Sequence, residues 1–395
     1  MDHHRIFWLL IAAVAAPLLG QIPVGFKVPV VVLEVVLGIV IGPHVLALVQ
    51  FDGFLAIMFT FAMATTLFMA GMELDFNEIK GRPLALAVGG WGVSVLLGII
   101  VVGVFHLVPG VDAPMMVTLA LCTTGLGVLM PIFRDSSQLE TPFGRLMIAV
   151  GTIGEIGPIV AMSLLLSQSY STWQELLFLL VFLVIVSLAA AVGAGARPPK
   201  VLAFLSRQMH ASTQLPVRIS LLMLALLFVL AEEFGFESIF GAFAAGMIVG
   251  LATRGEVGKT LREKIDAVSF GWFYPFFFVG TGIKFDLATL FKDLTTVLLV
   301  PALMILLLII RGAPVWLYRK DLAKAQQLPF ALSSAVPSLS IIVVITEIGL
   351  RTKTMSTDIA TALVGAGLLS IMLFPTVAGA LLARVAALGP QQDPG

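Results

Sequence analysis

The sequence predicts an all-α polytopic membrane protein of about thirteen transmembrane helices, arranged as two inverted repeats that each contain an interrupted helix. Three observations predict it. The chain of 395 residues is 59% hydrophobic and 12% charged, with a mean hydropathy of +1.07, against about 25% charged residues in an ordinary soluble domain. Apolar runs long enough to cross a bilayer core about 30 Å thick recur from end to end, separated by short polar breaks. Two glycine motifs of the first half, GIVIG and GMELDF, return in the second half in the same order, slightly altered.

Composition also narrows the function. A formal net charge of zero gives no basis for binding nucleic acid. The single cysteine, Cys122, excludes a disulfide framework or a cysteine-based metal site. The five histidines lie near termini or in loops, so no metal triad, cofactor site or catalytic histidine constellation is expected. The first apolar stretch, Arg5 to Leu19, could pass for a signal peptide, but it runs on toward another span without an A-x-A cleavage pattern and is read as a retained helix.

Charged residues and Pro/Gly breaks divide the chain into spans near 5–22, 28–49, 53–73, 83–108, 113–133, 142–168, 173–196, 214–234, 237–253, 266–283, 294–318, 325–348 and 355–386. With the N-terminus outside, one side collects Lys27, Lys80, Arg82, Arg134, Arg145, Arg197, Lys200, Arg207, Arg218, Arg254, Lys259, Arg262, Lys264, Arg319, Lys320 and Lys324. The other holds Arg5, Lys284, Lys292, Arg351 and Lys353. An excess of Lys and Arg marks the cytoplasmic side, so an odd number of spans with a cytoplasmic C-terminus fits, and an even number scrambles the bias. The lipid bilayer is then the chain's surroundings, and a bacterial-type inner membrane its expected location.

The second span carries GIVIG at 38–42 and the ninth GMIVG at 246–250; the next spans end in GMELDF, 71–76, and GIKFDL, 282–287. The offsets, 208 and 211 residues, pair a first repeat, 5–168, with a second, 214–386. They leave 173–196 as a connecting helix in a single transmembrane domain, with no cytosolic regulatory domain expected. An odd number of spans separates corresponding elements, so they cross in opposite directions, the inverted topology common in secondary transporters. The alternative is chance similarity, because Gly-x-x-x-Gly is a frequent packing motif in membrane helices.

The fifth span contains CTTGLGVLMP, 122–131, and its mate, the twelfth, LSSAVPSLS, 332–340. Thr123, Thr124, Gly125 and Gly127 in one, and Ser333, Ser334 and Pro337 in the other, are poor helix-interior residues at mid-membrane depth. They predict that both helices break there, which a membrane tolerates where protein or a watery cavity satisfies the freed backbone groups. Half-helix N-termini suit anions, and freed carbonyls suit cations. The alternative is that the hydroxyls bond their own backbones in intact helices.

The segment GTIGEIGPIV, 151–160, sets Glu155 near mid-depth in the sixth span. A charge there costs about 2.5 kcal/mol or more unless paired or hydrated, so function is the default reading. A buried carboxylate can be neutralised by a proton or by a metal cation, and the two then compete for one position. Gly151, Gly154 and Gly157 clear space around it for a broken helix and an ion. The alternative is a protonated glutamate making one interhelical hydrogen bond. The other deep charge, Arg311 in LLLIIRGAPVW, keeps its proton and either finds a partner in the core or extends along its stem to the cytoplasmic end of its helix. Glu34 lies on a span away from the interrupted helices, Glu347 near an outer interface, and Glu232 and Glu233 read as a solvated rim.

In order, VPVVVLEVVLGIVIGP, LFMAGMELDF, CTTGLGVLMPIFRD, FGAFAAGMIVG and YPFFFVGTGIKFDL resemble the monovalent cation:proton antiporter-2 family, the sodium/proton exchanger membrane domain, over nearly the entire chain. The resemblance implies the sodium/proton antiporter fold of thirteen helices, with a dimerising scaffold and a core in which two broken helices cross beside the ion-binding acid. It also implies an elevator-like movement of that core. By position, Glu155 stands where the family has its essential aspartate, Thr123 and Thr124 match the unwound fifth span, and Arg311 matches the basic residue of the eleventh. The chain departs in having Gly154-Glu155 where the family has Asp-Asp, Asn-Asp or Gln-Asp, and in lacking, up to Gly395, the nucleotide-binding module of the glutathione-gated potassium-efflux branch.

The resulting expectation is a homodimeric secondary transporter, not an enzyme, that exchanges cytoplasmic Na+ or K+ for external H+ at Glu155, which holds the metal ion transiently. A single carboxylate taking one cation or one proton implies electroneutral exchange. Alternatives on the same fold are K+ efflux or sodium-coupled organic anion transport, although an anion carrier calls for more basic residues deep in the core. From a different class, a membrane-embedded enzyme requires a nucleophile and base within the membrane, which the sequence does not offer, and a non-transporting sensor remains.

Overall fold

A computed structural model describes residues 3–22, 28–73, 80–104, 114–135, 138–165, 211–253, 256–292 and 294–387. The expected connecting helix at 173–196 lies outside the described residues, as do Lys27, Arg197, Lys200, Arg207 and Arg254 among the orienting cations.

All regular structure among the described residues is helical. In chain order the elements are α1 (His3–Gly20), α2 (Val30–Ile41), α3 (Gly53–Glu73), α4 (Arg82–Gly98, extended by a π turn, Ile99–Val104), α5 (Pro114–Leu121), α6 (Leu126–Asp135) and α7 (Pro142–Leu165). They continue with α8 (Leu215–Glu233), α9 (Ser238–Ala252), α10 (Glu256–Val268), a π turn (Ser269–Phe273), α11 (Tyr274–Lys284) and the short α12 (Leu287–Leu290). The last are α13 (Leu294–Gly312, with a 3-10 turn, Ala313–Tyr318), α14 (Lys324–Ser334), α15 (Leu339–Arg351) and α16 (Thr357–Ala387). Eight described helical stretches are long and apolar enough to cross a membrane, and 30–41, 114–130 and 238–252 are shorter apolar ones.

The helices sort into two packed groups. One holds α1, α2, α3, α8, α9, α10 and α11; the other holds α4 to α7 and α13 to α16. They meet where α15 passes α3, α9 passes α7 and α16 passes α2. Apolar side chains such as Phe7, Val14 and Leu18 on α1 and Leu222, Leu226 and Val229 on α8 face outward, which suits a surface solvated by acyl chains rather than water.

Within the first group the helices approach most closely at the glycines of the repeated motifs. A Cβ on Gly38 of α2 runs into the backbone of Val279 on α11, and one on Gly282 of α11 into that of Val35 on α2. In the same way Gly71 of α3 lies against the backbone of Phe243 on α9, and Gly246 of α9 against that of Phe68 on α3. A side chain at any of the four forces the helices apart.

Two expected spans, the second and the tenth, differ in detail, and the fifth and twelfth are interrupted as expected. The second ends as a helix at Ile41, not near 49, because Gly42 is extended (φ −70°, ψ 178°) ahead of Pro43, and the residue before a proline disfavours helical geometry. The fifth breaks at Cys122–Gly125 between α5 and α6, and the twelfth at 335–338 between α14 and α15. The tenth begins earlier than expected, as the amphipathic α10, and runs through the π turn into α11.

Candidate functional site

The two breaks cross in the middle of the second group. Gly125 N donates to Val336 O at 2.8 Å, Ser338 N donates to Thr123 Oγ1 at 3.3 Å, and Thr124 Oγ1 donates to Ser334 O at 2.7 Å. Backbone groups left without helical partners at the breaks are therefore satisfied across the crossing, as a buried interruption requires. A Cβ on Gly125 would lie 2.5 Å from Pro337 O, so this crossing needs a glycine. Thr123 also donates to Ala120 O at 2.9 Å. Of the remaining residues expected here, Ser333 is fully buried with a hydroxyl that has no hydrogen-bond partner among the described residues, and Ser334 donates to Phe330 O at 2.8 Å.

Glu155 reaches this crossing from α7. It is 6% exposed, and its carboxylate accepts the backbone N–H of Leu126 at 3.0 Å and that of Gly127. Those are the first amides of α6, so the carboxylate caps the positive end of a half-helix, where orphan N–H groups and the helix dipole both favour an anion. Gly127 itself is exposed, and nothing lies within 4 Å of where its Cβ would be, so the capped end opens onto free space.

Arg311 of α13 is buried in the same group. Its Nε and Nη2 donate to Thr124 Oγ1 at 2.9 and 2.5 Å, its Nη1 to Ser94 Oγ of α4 at 3.2 Å, and its Nη2 to Val150 O of α7 at 3.5 Å. The guanidinium thus points into the core, and its acceptors are hydroxyls and a carbonyl rather than a carboxylate. Thr124 uses its one donor on Ser334 O and both acceptor positions on Arg311, which exhausts a hydroxyl's capacity. Gly154 makes this possible. A Cβ there would stand 2.7 Å from Thr124 Cβ and 3.0 Å from Arg311 Nη2, so the threonine and the arginine fill the space that a side chain at 154 would take.

Sequence reasoning missed three contributors. Glu73, the last residue of α3, is open to solvent although protein surrounds it on most sides, and its charge lies within electrostatic reach of Glu155, Arg262 and Asp266. Tyr274, at the start of α11, lies within reach of both Glu73 and Glu155. Ser94 carried no signal beyond being a hydroxyl in mid-span, whereas Glu73 follows the repeated glycine Gly71 and was visible as a charge at a span end. The other acids sit elsewhere: Glu34 is buried on α2, Glu347 is ion-paired with Lys284, and Glu232 and Glu233 are exposed at the end of α8.

Comparison with known proteins agrees with this architecture. The chain resembles the sodium proton antiporter MjNhaP1 of Methanocaldococcus jannaschii in two solved structures, with TM-scores of 0.65 and 0.67, at 17% and 16% identity, over 98% and 99% of both chains. Among curated sequences, the Na(+)/H(+)-K(+) antiporter GerN of Bacillus cereus is 25% identical over 72% of this chain and 73% of its own. The YjbQ protein of Bacillus subtilis is 25% identical over 95% of this chain and 63% of its own, and the cation/H(+) antiporter 18 of Arabidopsis thaliana is 26% identical over 72% and 37%. The chain thus spans about two thirds or less of the length of the YjbQ and Arabidopsis relatives. The sequence model described as sodium/hydrogen exchanger, transmembrane, matches residues 9–384, and the chain belongs to that family.

Proposed function

We propose that this chain exchanges a monovalent cation, Na+ or K+, for H+ across the membrane at Glu155, and that the exchange is electroneutral. The observation that carries the reading is the seat of Glu155: one buried carboxylate, held by the first amides of α6 beside the crossing of two interrupted helices, with open space at Gly127. Proton and cation each neutralise the same group, so binding one releases the other. With Arg311 fixed elsewhere, the loaded core carries the same net charge in both cases, and transport then moves no net charge in a full cycle.

Glu73 and Tyr274 mark the approach to Glu155 in this reading. The carboxylate of Glu73 raises the local cation concentration at the opening without displacing the amides that hold Glu155. Thr123 keeps one acceptor position free for an ion, while Thr124 serves to hold Arg311 against the crossing. The positive-side bias places the N-terminus and the Lys284 end of the bundle outside and the Glu73 end in the cytoplasm. The first group then forms a scaffold that pairs with a second copy, and the second group is the moving core of an elevator. The paired contacts at Gly38 with Gly282 and Gly71 with Gly246 support two inverted repeats, since exchanging corresponding motifs turns one contact into the other.

Purified protein in vesicles with a pH-sensitive dye inside tests the proposal. Imposing a Na+ or K+ gradient should move protons the opposite way, at a rate insensitive to an imposed membrane potential. No proton movement with either ion removes the reading, and a rate that follows the potential removes electroneutrality.

A further inference from the structure

We infer that Lys284 and Glu347 form an outer latch between the two helix groups, one that must open each time the core turns outward. The inference rests on the proposed alternating movement. Lys284 is the last residue of α11 in the first group, and Glu347 lies near the end of α15 in the second. Their side chains form an ion pair, each about one-third exposed. The ammonium is also held over the rings of Phe51 and Phe59, 5.0 and 5.1 Å from their centroids, with Phe59 itself buried on α3. An ammonium caged by two aromatic faces and a carboxylate is fixed in place. One turn further along α15, Arg351 pairs with Glu237, at the start of α9, at 2.7 Å. Both bridges therefore join the same two groups at the same end.

The opposite end is built differently. There Arg82 pairs with Asp321 inside the second group, and Arg262 donates to Met72 O inside the first. Among the described residues no ion pair joins the groups at that end. The repeat sharpens the contrast, because Lys284 in GIKFDL occupies the position of Glu73 in GMELDF. The second-half residue ties the groups together, whereas the first-half residue lies open to solvent near Glu155. This is the arrangement of a carrier shut outside and open inside, with the shut side fastened by charge.

The test reads position rather than flux. Spin labels on Leu46→Cys in the first group and Thr357→Cys in the second, both exposed at the latched end, report the distance between the groups by pulsed electron resonance, against a control carrying only the buried Cys122. The parent should give one dominant distance. Lys284→Met and Glu347→Gln should each raise a longer-distance population roughly fivefold, the change that losing an ion pair of about 1 kcal/mol produces. The exchange Lys284→Glu with Glu347→Lys should return it toward the parent value, and Arg82→Gln, within one group, should leave it alone. Unchanged distances in folded neutralised variants overturn the latch. Shifted distances in a protein that moves no protons against cations uphold it and discard the antiport reading instead.

Discussion

Arg311 and Thr124 are joined by two hydrogen bonds, at 2.9 and 2.5 Å, and the same hydroxyl donates to Ser334 O at the end of a broken helix. One cation therefore ties α13 to both interruptions through a neutral side chain. Hydrogen bonds to a charged donor contribute about 1.5–3 kcal/mol each, so this linkage outweighs a typical helix contact.

Arg311→Ala should accordingly lower the thermal unfolding midpoint in detergent, with a loss of about 2–4 kcal/mol from severed charged bonds and the cavity left behind. Lysine should rescue little, because a single ammonium cannot copy the fork that grips Thr124 and Ser94 together. An unchanged midpoint in Arg311→Ala contradicts the assignment.

The glycine at 154 should be equally exacting. Gly154→Asp drives a side chain into Thr124 and should destabilise by about 1–3 kcal/mol, the usual cost of overpacking. Combining it with Thr124→Gly clears the space and offers Arg311 a carboxylate in place of the lost hydroxyl. The double variant should then unfold at a higher temperature than Gly154→Asp alone; a lower or equal midpoint shows that Thr124 does not stand in for a side chain at 154.

Glu73→Gln should weaken cation uptake without stopping it. Charges several ångströms apart near a protein surface interact by about 1–2 kcal/mol, less when screened by salt, so the KM for the cation should rise a few-fold while the maximal rate holds. The rise should shrink at high ionic strength. Loss of the maximal rate with KM unchanged argues that Glu73 acts on a later step.

At the opposite surface from the latch, hydrogen bonds from Arg82 hold the carboxyl of Asp321 below the usual carboxylate range. A lowered native value contributes stability above the ordinary aspartate range and loses it as pH falls through the native value. Asp321→Asn should therefore melt slightly below the parent at neutral pH, and the gap should close on acidification. A gap that stays constant from neutral to acid pH rules out the charged pair as its cause.

Much of this was legible in the residues. Glu155 stood out because a carboxylate inside GTIGEIGPIV has no cheap bland use at that depth, and the interruptions were visible because hydroxyls, glycines and Pro337 cluster in two matched spans. What Arg311 touches was not legible: Thr124 and Ser94 are hydroxyls on other helices, and no spacing rule links 124, 94 and 311. The short α2 was missed because hydropathy continues past Gly42-Pro43 although the helix does not. Glu73 was passed over because a charge at a span end ordinarily marks an interface, and its reach to Glu155 depends on how the two helix groups meet, with α9 bridging α3 and α7.

The most direct test of the account is Glu155→Gln, measured by dye-monitored proton flux in vesicles under a Na+ or K+ gradient. Glutamine keeps the shape of the protonated acid and an oxygen for the amides of Leu126 and Gly127, but it can neither release a proton nor neutralise a cation. Arg311 does not lean on this carboxylate, so folding should survive. The account predicts a folded protein whose cation gradient moves no protons. Exchange at the parent rate by a well-folded Glu155→Gln protein would contradict it.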